Sequence, residues 1–174
     1  MSVAPGDGGD MGHDGDVQTI HRDDVLHVGS IGPLFFQRWF APGQPAHVER
    51  MLEAHRAFVA RFPHRETVAL SHIQSHAFRP PDEGSRRPIR EHTKLLGSDV
   101  RAVATVIEAD GFVASMVRSV VSGLVLIADR RLAHSVFATV DEGLAYVARY
   151  APVGSVARDA KLLTEKYRNA CRTY

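Results

Sequence analysis

The segment that most constrains this chain is Val100–Glu108, VRAVATVIE. It is rich in β-branched residues and apolar on both faces beyond Arg101. A strand with one wet face alternates apolar and polar residues, so an unbroken run of this kind suits a central strand covered on one or both faces. Covering such a strand takes helices, and the flanking patterns supply them. In 45–62, Val48, Met51, Leu52, His55, Phe58, Val59 and Phe62 recur at three- and four-residue spacing, and Pro63 follows. This is the stripe of an amphipathic helix with a stop signal.

The same reading extends along the chain. Residues 17–20 and 25–30 read as an antiparallel hairpin across the turn-compatible Arg22, Asp23 and Asp24. Residues 67–73 read as a strand, 85–96 as a helix ending at Gly97, and 112–128 as a strongly apolar helix. Residues 134–139 read as a short strand. Thr139-Val140-Asp141-Glu142 then forms a capping box that opens a helix to about Tyr150. A last helix carries Ala160, Leu163, Tyr167, Ala170 and Cys171 on a narrow stripe. The expected fold is α/β: a mostly parallel sheet with an antiparallel N-terminal hairpin, helices packed on it, and one added C-terminal helix. Its expected organisation is a disordered tail over 1–16, an α/β domain over 17–151 and a helical extension over 152–174. The tail is expected from its Gly- and Asp-rich, almost apolar-free composition.

Bulk properties bound the function classes. The chain has 174 residues, 21 Lys plus Arg and 20 Asp plus Glu. A chain this long buries about 70% of its unfolded surface and needs no metal or disulfide to hold a core. The charge balance gives no overall pull toward nucleic acid or an anionic membrane. The longest apolar stretch, 120–128, is broken by Ser122 and Gly123 and falls short of the ~20 residues of a membrane span. Cys171 is the single cysteine, which fits a reducing compartment. A soluble, cytoplasmic protein is expected.

Three stretches resemble small stand-alone bacterial proteins of the STAS family, the domains of anti-sigma-factor antagonists and of sulfate-transporter cytoplasmic ends. They are DVLHVGSIGPL at 24–34, VRAVATVIEADGFVASMVRSVVSGL at 100–124 and HSVFATVDEGLAYV at 134–147. The order of hairpin, then alternating helices and strands, is similar too. The resemblance covers about 17–151 and implies a STAS-like sandwich that binds other proteins. Antagonists of that family carry a phosphorylatable Ser or Thr in an Asp-Ser-Ser/Thr-Gly-like turn. Here the matching place reads Gln74-Ser75-His76-Ala77, with no Asp-Ser pair and no Gly, so that site is not carried over.

Motifs that carry chemistry are sparse. There is no G-x-S-x-G, no G-x-G-x-x-G and no P-loop pattern. No catalytic residue and no cofactor are expected. His72 and His76 form H-x-x-x-H with His92 further on, but an i, i+4 pair converges on one ion only on a helix. This segment leaves a strand, so no metal site is expected. His47 and His55 are eight residues apart on one helix and read as a polar rim.

The aromatic segment GPLFFQRWFAPG at 32–43 stands out. Phe35, Phe36, Trp39 and Phe40 sit between Pro/Gly punctuators. Such side chains either lid the sheet or form a partner or self-association surface. Arg79, Arg86, Arg87 and Arg90 cluster around the second helix start, as a solvated face or as a receptor for an anionic partner. The expected function is a non-enzymatic regulatory or scaffolding module that binds a protein partner or itself, with no obligatory small molecule. The alternative is a ligand-binding domain or small enzyme with a strand-end pocket lined by Ser75, His76, Arg79, Asp110 and Arg118.

Overall fold

The computed structural model describes residues 15–77, 82–108 and 132–172. Six strands form one sheet in sequence order: β1 Val17–Arg22, β2 Leu26–Ile31, β3 Leu34–Trp39, β4 Thr67–Gln74, β5 Val100–Glu108 and β6 Ala133–Phe137. The pairings β1–β2 and β2–β3 are antiparallel, and β3–β4, β4–β5 and β5–β6 are parallel. Among the described residues four α-helices accompany them: α1 Pro45–Val59, α2 Glu83–Asp99, α3 Val140–Ala148 and α4 Ala160–Arg172. The fold is the α/β class expected, with a mostly parallel sheet, an N-terminal hairpin and a C-terminal helix. None of the helices is long and apolar enough to cross a membrane among the described residues.

The main departure from the sequence reading is the aromatic segment. It is a strand, third in the sheet, and pairs with β2 and β4. Gly32 takes φ +51 at the first central position of the two-residue loop into β3, where a tight hairpin of type II′ needs Gly. Strand alternation then sends Phe35 to one face and Phe36 to the other. Both are buried, at 1% and 0% exposure. They are core residues of this chain and offer no surface to a partner, which corrects their assignment as partner-binding.

Each face has its own cover. Successive parallel crossovers in one direction put α1 and α2 on the same side. There Leu26, Val28 and Phe35 pack against Val48, Met51 and Phe58. On the opposite face Ile31, Leu34, Phe36, Leu70, Ala104 and Val106 pack against Leu144 and Val147 of α3 and Leu163 and Tyr167 of α4. The C-terminal helix therefore shares the central core instead of extending from it. Helix starts follow local chemistry. Asp82 caps α2, its Oδ1 accepting from the Ser85 amide at 2.7 Å, so the helix begins before Ser85. At α3 the expected capping box is present, with Thr139 at N-cap and Glu142 at N3. The expected helix over 112–128 and most of the expected tail lie outside the described residues.

Candidate functional site

On the α3/α4 face the apolar columns of β3, β4 and β5 each end in an ionisable residue. Leu34 and Phe36 lead to Arg38, Val68 and Leu70 lead to His72, and Ala104 and Val106 lead to Glu108. The three parallel strands run the same way, so these ends gather at one edge. This is the edge where α/β sheets place their sites. A cleft of ≈ 500 Å³ opens there, completed by Thr139, Val140 and Asp141 at the start of α3 and by Tyr167, Arg168, Cys171 and Arg172 of α4.

His72 is the centre of the arrangement and is 2% exposed. Its Nδ1 lies 2.7 Å from Tyr167 Oη, and its Nε2 lies 3.0 Å from Glu108 Oε2. Burial pushes the Tyr167 hydroxyl well above its ordinary range, so it keeps its proton. Burial also lowers the His72 pKa, against the pull of the Glu108 carboxylate. A neutral imidazole has one N–H, and the carboxylate beside Nε2 places it there. Tyr167 then donates to Nδ1. His72 Nδ1 is thus hydrogen-bonded to Tyr167, whereas Nε2 has the ionic contact with Glu108 but no hydrogen bond among the described residues.

Around this strut the cleft carries three guanidinium groups, Arg38, Arg168 and Arg172, against two carboxylates, Glu108 and Asp141. Arg168 is committed to Asp141, its Nη2 lying 2.7 Å from both Oδ atoms. Arg38 lies over Phe40, with Cζ 5.0 Å from the ring centroid. A second open hollow of ≈ 510 Å³ shares Asp141, Arg168 and Arg172 and continues past Lys161 and Glu165. Together they make a groove along α4.

Several residues singled out from the sequence fall elsewhere. His76 is exposed in a 3₁₀ turn at Ser75–Ala77, just beyond β4. Arg79, Asp110 and Arg118 lie outside the described residues. Arg86, Arg87 and Arg90 are exposed on α2, where Arg87 meets Glu49 at 3.1 Å and Glu91 at 3.6 Å. Trp39 and Phe40 are half-buried, and Trp39 packs against the α1-side core. The sequence reading placed its alternative pocket around Ser75, His76, Arg79, Asp110 and Arg118, none of which lines this cleft among the described residues, and it did not find His72, Glu108 and Tyr167 as a set. The available signal was the ionisable residue closing each apolar strand column. Among the described residues no three His, Cys, Asp or Glu side chains cluster as a metal site requires. No protein-family model, curated protein or solved structure matches the chain.

Proposed function

We propose that the chain is a non-enzymatic regulatory or scaffolding module whose partner-binding surface is the groove along α4 at the strand ends. The observation that carries this reading is the open, elongated groove that two adjoining hollows make along α4. Its surface is of mixed charge, with Arg172 and Lys161 exposed on it. Such a surface suits an extended polar segment of another protein better than an enclosed small molecule. The resemblance to STAS-family proteins at 24–34, 100–124 and 134–147 supports the same class of role.

The test is affinity capture with wild type beside a Lys161→Glu/Arg172→Glu variant of unchanged circular dichroism. A partner that wild type holds, that crosslinks to groove residues and that the variant loses would support the reading. A partner held equally by both baits would remove the groove from the interface.

A further inference from the structure

The face of the sheet beneath α1 and α2 carries a polar row. Gln37, Ser71 and Thr105 are successive register partners across β3, β4 and β5, so they stand side by side. His55 of α1 and His92 of α2 come down onto this row, with His55 Nδ1 2.8 Å from His92 Nε2. His134 of β6 places Nε2 2.9 Å from Thr105 Oγ1. These side chains surround a cavity of ≈ 160 Å³. His55 is 0% exposed, and Gln37 and His92 are each 8% exposed.

Two polar atoms in this buried cluster have no hydrogen-bond partner among the described residues, Gln37 Oε1 and His55 Nε2. Gln37 Nε2 donates to Ser71 Oγ at 3.0 Å, which leaves Oε1 as the unpaired end of the amide. In this arrangement the unpaired atom is an acceptor. A buried polar atom left unpaired is unfavourable, and native folds normally satisfy it with protein, water or ligand. The cavity holds about five waters at ~30 Å³ each, or one small ring. No Lys, Arg, Asp or Glu is among its described lining residues. Burial holds His92 and His134 down to about 4 and lowers His55 as well, so the imidazoles are neutral at pH 7. A charged guest would lose its hydration with no counter-charge to replace it. Phe35, stacked on His55 with ring centroids 3.9 Å apart, and Val103 supply apolar wall.

The geometry points to a second ligand site in this cavity, one that takes a small uncharged ring carrying an N–H donor beside a hydrogen-bond acceptor. The donor serves Gln37 Oε1, and the neighbouring atom serves His55 Nε2. The site lies on the opposite face of the sheet from the α4 groove and does not depend on the role proposed for that groove.

The test is titration of the full chain with pyrazole and with 2-pyridone, followed through the ring nitrogens of the histidines by NMR, with benzene as an apolar control. Saturable shifts at His55 and His92 are expected with the two heterocycles and not with benzene. In Gln37→Leu, checked for folding by circular dichroism, the apparent Kd rises at least ten-fold. Absence of saturable shifts up to the solubility of both heterocycles overturns the site. Equal binding by Gln37→Leu does the same. If that variant does not fold, crystals of wild type soaked in pyrazole decide: ordered water alone in the cavity overturns the proposal, and a ring against Gln37 and His55 upholds it.

Discussion

Tyr167 of α4 and His72 of β4, 95 residues apart in sequence, meet at 2.7 Å between Oη and Nδ1 beneath the strand-end cleft. The contact ties the last helix to the middle of the sheet. Tyr167→Phe keeps the ring packing against Phe36, whose centroid lies 5.2 Å away, and removes only the hydroxyl. His72 Nδ1 is then a buried acceptor without a donor. A loss of about 1–3 kcal/mol in unfolding free energy is expected, measured by urea denaturation at pH 7. An unchanged midpoint would mean that the hydroxyl contributes nothing to docking α4.

Acid should destabilise the fold well before the carboxylates titrate. His92 is held down to about 4, chiefly by burial, against an ordinary value near 6.5 in the unfolded chain. Below pH 6.5 the unfolded state therefore binds more protons than the folded state, and stability falls as pH falls. The loss begins near pH 6.5 and is complete below about 4, at about 1.4 kcal/mol per pH unit for this group within the window. His55 and His134 shift the same way. Denaturation midpoints at pH 7, 5.5 and 4.5 should descend steadily, and His92→Gln should flatten the slope. A flat wild-type profile would refute a neutral buried pair.

Phe36 and Trp39 should separate by their burial. Phe36 is 0% exposed and belongs to the central core, so Phe36→Ala is expected to cost about 3–5 kcal/mol. Trp39 is half-buried at the rim, and Trp39→Ala should cost clearly less. Thermal melts of the two single variants check the order. A folded, fully stable Phe36→Ala protein would remove Phe36 from the core.

Gly143 tests how closely α3 lies on the sheet. A Cβ there would sit 2.6 Å from Val106 Cγ2 and 3.3 Å from Leu70 Cδ1. Alanine gains about 1 kcal/mol of helix propensity over glycine, but overpacking a tight core costs about 1–3 kcal/mol. The contact is tight enough for the clash to win, so Gly143→Ala should lower the melting temperature. A higher value would show that α3 can lift away without loss.

Local pattern was enough to read much of this protein. The apolar stripe from Val48 to Phe58 defined α1, the β-branched run defined Val100–Glu108, and Thr139 with Glu142 marked the start of α3. Each of these signals lies within a few residues of chain, because helix and strand periods and caps are short-range properties. The aromatic segment was harder, since four rings between Pro and Gly carry no periodicity that separates a buried strand from a lid. Its pairing with β2 and β4 resolved it. The site depended on tertiary structure altogether. Residue pattern says which face a side chain takes, not which distant side chain it will meet. Only the parallel sheet and the return of α4 across it bring His72, Glu108 and Tyr167 within hydrogen-bonding distance, and only α1 and α2 packed together set His55 against His92 over Gln37.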